Sequence, residues 1–183
     1  MGFDGDVTAR YPDEARFRNL MLDHQSMVFS IALRILSDRA AAEEAAQDVF
    51  LELHAKLGEL ASDEHVLYWL RRVTVHRAID LVRRRERRPE VAMDWNELPE
   101  IPGATGDVAI DDDAPFGAQL QQLVSSLPAV PRSVLVLRYQ EDLSPDEIGS
   151  VLGMPVATVK SHLQRSLRLL REKAGRACVR PER

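Results

Sequence analysis

The chain has 183 residues, enough for one domain or two small ones, and 45% of them are hydrophobic, enough for cores of ordinary size. Aromatic residues make up 5%, and the apolar set is mostly Leu, Val and Ala, which favours helices over sheets. No apolar run approaches the ~18 residues of a membrane span, and the acidic start MGFDGDVTAR lacks a signal peptide's basic and apolar regions. Cys178 is the one cysteine, which excludes an internal disulfide framework and a thiolate metal site and fits a reducing cytoplasm.

The net charge of −5 would argue against nucleic acid if it were evenly spread, but it is segregated. Glu43 to Glu64 holds seven acids against Lys56; Arg71 to Arg88 holds eight arginines against Asp80 and Glu86. Pro89 to Pro115 holds eight acids and no base, and Val156 to Lys173 holds five bases against Glu172. Two basic patches between acidic segments imply two DNA contacts, with other surfaces left for other partners.

In chain order, residues 1–12 read as a disordered tail. A helical pattern runs from Asp13 to Leu36, with Phe17, Leu20, Met27, Ile31 and Ile35 on one side. Ser37 and Asp38 supply cap chemistry for a second helix from about Ala40 to Leu57, closed by Gly58 as a C′ residue. A third helix runs from about Val66 to Arg87 and stops at Pro89. The stretch 89–115, with Pro99, Pro102, Gly103, Gly106 and Asp111-Asp112-Asp113, has no sustained period and reads as a flexible acidic linker. Leu120, Leu123, Val124 and Leu127 mark a fourth helix; Pro128 and Pro131 bracket a break before a fifth from Ser133 to Tyr139. The expected architecture is all-α: two different small helical domains, 13–88 and 116–176, with a short tail at 177–183.

The sharpest local signal is LSPDEIGSVLGMPVATVKSHLQRSLRLLREK. Ser144-Pro145-Asp146-Glu147 is a capping box with Pro at the first helical position. That helix is short and closes at Gly153; Pro155 opens a long basic helix as its first residue. Short helix, glycine turn and long basic helix is the sequence form of a helix-turn-helix. Val159, Leu163, Leu167 and Leu170 face inward. Thr158, Lys160, Ser161, Gln164, Arg165 and Arg168 form the opposite side, with donors for base edges and cations for phosphates. A merely solvated helix face is the bland alternative; capping box, turn and basic face together favour DNA.

The segments ALRILSDRAAAEEAAQDVFLELHAKL and WLRRVTVHRAIDLVRRRERR resemble region 2 of the extracytoplasmic-function group of bacterial sigma factors. LPAVPRSVLVLRYQEDLSPDEIGSVLGMPVATVKSHLQRSL is similar to their region 4. The two likenesses span about residues 15–88 and 117–173. The resemblance implies that Glu43, Glu44, Gln47, Asp48 and Glu52 dock on the clamp helices of the polymerase β′ subunit, with region 4 meeting the β flap. It implies that the loop from Gly58 to His65 and the following helix read and open the −10 element, through Trp69, Arg71, Arg72, His76, Arg77, Arg83, Arg84 and Arg87. Thr158, Lys160, Ser161, His162, Gln164, Arg165 and Arg168 would read the −35 element. Core RNA polymerase, promoter DNA and an anti-sigma factor are the implied partners, with no cofactor, metal, small-molecule substrate or membrane insertion, in the bacterial cytoplasm.

Three positions depart from the group's pattern. His76 stands where many relatives carry Asn, and Ala157-Thr158-Val159-Lys160-Ser161-His162 replaces the common Gly-Thr-Val-Lys-Ser-Arg. A regulator with a response-regulator-type helix-turn-helix accounts for Val159 to Leu163 but not for the N-terminal half, which lacks a receiver's alternating strands and helices. A helical adaptor that binds only protein is a further rival. An enzyme fits poorly: Glu43 and Glu44 are helix neighbours about 100° apart, and no histidine spacing matches a metal motif.

Overall fold

A computed structural model describes residues 12–85 and 116–178, and all its regular elements in those residues are helical. The N-terminal half comprises α1 (Pro12–Leu36), α2 (Arg39–Lys56), a 3₁₀ turn (Leu57–Glu59) and α3 (Asp63–Arg85). The C-terminal half comprises α4 (Phe116–Ser125), α5 (Ala129–Tyr139), α6 (Pro145–Leu152) and α7 (Val156–Cys178). α1 takes in Pro12 and α7 reaches Cys178, each a little into segments read as tails. The linker 89–115, the stop at Pro89 and Arg87 lie outside the described residues.

α1 and α2 form a hairpin because Ser37 takes a left-handed turn (φ 52°) and Asp38 caps the start of α2. The Asp38 carboxylate accepts from the Ala41 amide at 3.1 Å. That bond, aided by Arg85, holds the carboxyl below its ordinary pKa. α3 lies across both helices, and Val28, Val49, Leu53, Val66 and Leu70 fill the space between them, fully buried.

Three boundaries differ from expectation. Gly58 does not end α2 in a left-handed conformation; the helix tightens into the 3₁₀ turn, where burial holds Leu57 and the Leu60 amide bonds its carbonyl at 3.3 Å. α3 starts at Asp63, three residues before Val66, because the Ser62 hydroxyl accepts from the His65 amide at 3.2 Å. α5 begins at Ala129, not Ser133, and takes Pro131 into its first turn, where a missing amide donor leaves nothing unpaired.

The two bundles pack on each other. One apolar cluster joins Ile31 and Ile35 of α1 and Val75 and Ala78 of α3 to Val134 and Leu137 of α5, Ile148 and Val151 of α6 and Val159 of α7. Arg132 of α5 is buried in this seam. Its guanidinium donates to the Leu127 carbonyl at 2.7 Å and also to the Ser125 and Ile35 carbonyls. It thereby satisfies chain ends of α4 and α1 whose helices supply no amide there.

Candidate nucleic-acid interface

α6, the turn and α7 are set by local chemistry. Ser144 Oγ accepts from the Glu147 amide at 3.3 Å while Glu147 Oε2 accepts from the Ser144 amide at 2.8 Å. The Ser144 side chain, and then its amide, hold the Glu147 carboxyl below its usual range. Gly153 closes α6 at φ 67°. Gly149 lets the turn fold tightly: a Cβ there would stand 2.9 Å from the Met154 carbonyl oxygen. The Pro155 carbonyl accepts from Thr158 at 2.9 Å and Val159 at 3.1 Å, so Pro155 is the residue before α7 and not its first.

On α7, Lys160, Gln164 and Arg168 are exposed, and Ser161, His162 and Arg165 are half-buried on the same helix. Thr158 is 8% exposed, so of the seven residues expected on this face it alone is turned into the domain. Burial first, then the Arg165 charge, pushes His162 below the ordinary imidazole pKa, leaving it neutral at pH 7. Arg168 and Glu172 form an exposed pair at 3.7 Å that leaves the face cationic.

α3 carries the second basic face. Arg72, His76, Arg83 and Arg84 are exposed, and Trp69, Arg71 and Arg77 are half-buried. Trp69 packs on the N-terminal core with the Lys56 ammonium 5.9 Å from its ring centroid. Arg83 lies 3.9 Å from Asp80, as one-turn spacing predicts. Arg77 reaches back to α2, paired with Asp48 and 3.6 Å from Glu52. The acidic face of α2 and the basic face of α3 therefore meet along one cleft, lined by Glu44, Asp48, Glu52, His76, Arg77 and Arg84. Of the acidic set, Glu43, Glu44 and Gln47 are exposed and Asp48 and Glu52 half-buried. Before α3, Arg16 of α1 ties down the loop, donating to the Leu60 carbonyl at 3.2 Å and lying 3.6 Å from Asp63.

Several residues escaped the sequence reading. Leu51 is 70% exposed among the acids of α2, an apolar residue on a polar helix side, and that mismatch was legible. Glu141, Tyr68 and Gln140 bond across the seam between the halves. Nothing local marks them, since their partners lie 70 or more residues away.

Comparison with known proteins agrees with this division. The family description "Sigma-70 region 2" matches residues 20–88 and "Sigma-70, region 4" matches residues 117–170. The chain is 27% identical over 173 residues to the ECF RNA polymerase sigma factor SigW of Bacillus subtilis, covering 87% of this chain and 89% of that one. It is 29% identical over 161 residues to the RNA polymerase sigma-H factor of Pseudomonas aeruginosa, covering 84% and 83%. A solved structure of the sigma factor RpoE in complex with the anti-sigma factor NepR, from Bartonella quintana, superposes with a TM-score of 0.63. It covers 87% of this chain and 97% of that chain at 20% identity, a likeness of fold. The response-regulator reading leaves residues 20–88 without a counterpart, whereas region 2 occupies them. Region 2, region 4 and full-length relatives fall on one chain in one order, and the chain belongs to the sigma-70 family, in its extracytoplasmic-function group of transcription initiation factors.

Proposed function

We propose that this sigma factor holds core RNA polymerase with residues 13–88, reads the −10 element with the same half, and reads the −35 element with residues 116–176. The observation that carries this is the helix-turn-helix itself: a complete capping box, a left-handed glycine turn, and an exposed cationic side on α7. Lys160, Ser161, Gln164 and Arg165 enter the major groove, and Arg168 meets phosphate. Thr158 acts from inside, shaping the first turn of α7.

On α2, Glu43, Glu44, Gln47, Asp48 and Glu52 rim an exposed Leu51. An acidic rim around an apolar centre suits the basic, partly apolar clamp helices of the β′ subunit. Region 4 takes the β flap as its second anchor on the enzyme. The arginines of α3 and the loop ahead of it engage the −10 strand, where an unstacked base must be held outside the duplex. His76, in place of the group's common Asn, gives this chain its own −10 preference.

The chain supplies binding and no catalytic step; polymerase makes the RNA. An anti-sigma factor is a further partner, by analogy with the RpoE–NepR complex. The place of action is the bacterial cytoplasm, and among the described residues no helix is long and apolar enough to cross a membrane.

Run-off transcription with core enzyme on a genomic fragment library tests the reading. The expected result is RNA starting at a restricted set of sites that share spaced −35 and −10 sequences. Start sites identical to those of core enzyme alone would end it.

A further inference from the structure

We infer that Arg77, one of the α3 cations expected at the −10 strand, is instead a positioning residue for polymerase. It reaches across to α2 and holds Asp48 and Glu52 in the arrangement that docking uses. The inference rests on the docking role proposed for α2, and it leaves the other α3 cations with the −10 strand.

Those cations fall into different settings. Arg72, Arg83 and Arg84 are exposed, along with His76. Arg77 is half-buried and turned to the neighbouring helix, where its two terminal nitrogens divide between two acids. Nη1 donates to Asp48 Oδ2, and Nη2 lies 3.6 Å from Glu52 Oε2. A planar guanidinium fork can span two carboxylates in this way; a lysine ammonium is a single point charge.

Glu52 is gripped a second time, with Lys56 Nζ 3.2 Å from its Oε1. Lys56 in turn lies 5.9 Å from the ring centroid of Trp69. Trp69 and Arg77, about two turns apart on α3, therefore brace the same stretch of α2, from Asp48 to Lys56. By contrast, Glu43 pairs with Arg39 of its own helix, at an exposed one-turn spacing.

A carboxylate offers about four lone-pair sites. Arg77 hydrogen-bonds Asp48 through Oδ2, so Oδ1 stays available to a cation from outside. Holding the side chain beforehand removes part of the entropy that ordering it at an interface costs. The charge of Arg77 also weakens the pull of these acids on a basic partner. The sign of its effect on docking therefore separates an aligner from a mask.

The test measures affinity of the full chain for core polymerase, by competition with labelled parent chain, and then binding of a forked −10 probe at saturating core enzyme. Arg77→Met should weaken core affinity about three- to tenfold, the cost of ordering one or two side chains. Arg77→Lys, which keeps the charge and loses the fork, should recover part of that loss. Probe binding by both holoenzymes should match the parent. In a chain carrying Asp48→Ala and Glu52→Ala, Arg77→Met should change core affinity by less than about twofold, because nothing is left to position. A loss that persists in that background marks general destabilisation and overturns the role. Unchanged or tighter core binding by Arg77→Met also overturns it, as does a fall of about tenfold in probe binding, the size of a lost DNA contact. If Asp48→Ala and Glu52→Ala together leave core affinity at the parent value, the docking role of α2 fails and takes this one with it. A loss there, with none from Arg77→Met, ends the role of Arg77 alone.

Discussion

α3 and α7 are both long helices with a basic side, and they differ in how far their cations pair with other elements of the fold. Three arginines of α3 pair with acids of other elements: Arg71 with Glu141, Arg77 with Asp48 and Glu52, Arg85 with Asp38, while Arg72, Arg83 and Arg84 are exposed. Lys160, Gln164 and Arg168 of α7 project into solvent. Part of the denser run of positive charge in the sequence is therefore taken up by acids of the same chain. Local charge density predicts where nucleic acid can be attracted, and tertiary pairing decides whether it can be received.

The largest expected effect concerns the seam between the two halves that carry these helices. Arg132→Leu leaves the Leu127, Ser125 and Ile35 carbonyls without their donor and should cost about 3–5 kcal/mol, read by chemical denaturation of the full chain. A cost below about 1 kcal/mol would mean that the seam does not depend on this residue.

Next comes the open face. Arg165→Ala should weaken −35 binding by about 1–3 kcal/mol and relax sequence preference if the side chain meets a base. If it meets phosphate, the salt slope should drop by about one and the preference remain. Either way the effect should be measurable with the free chain, whereas changes on α3 should need polymerase present; equal effects of both in the free chain would erase the contrast.

Asp48→Ala should lower core affinity by about 1–2 kcal/mol while leaving −35 binding by the free chain unchanged. Because the same substitution releases Arg77 from its Asp48 partner, holoenzyme assembled at saturating concentration should bind −10 DNA no worse than the parent. A loss of −35 binding in the free chain would contradict the division of labour.

The smallest effect lies in the cap of α6. Ser144→Ala should cost about 1 kcal/mol at neutral pH. The folded-state pKa of Glu147 is depressed, so its contribution is fully present above the ordinary glutamate value and is lost as pH falls through the folded value. The stability gap between parent and Ser144→Ala should therefore narrow in acid; a gap that widens below pH ~4 would refute the carboxylate's part in the box.

Much of this was legible without coordinates. The helix count, the capping box at Ser144 to Glu147, the left-handed Gly153 and the cap at Asp38 are local events, each completed by hydrogen bonds within three or four residues. The expected helix boundaries erred at Gly58, Val66 and Ser133, where burial of Leu57, the cap by Ser62 and the accommodation of Pro131 outweighed a residue's average habit. Of the candidate residues, Lys160, Gln164 and Arg168 sit where their spacing placed them, and Thr158 does not: the first turn of α7 rotates it inward.

By itself the amino-acid order determined the helical class, the helix-turn-helix and the family, because periodicity, caps and turns act over a few neighbouring residues. Only the folded chain decided that Arg77 faces Asp48, that His76 meets Val151, and that both halves share one core. Those contacts join residues from 29 to about 100 positions apart, and no local preference encodes a distance that only packing creates.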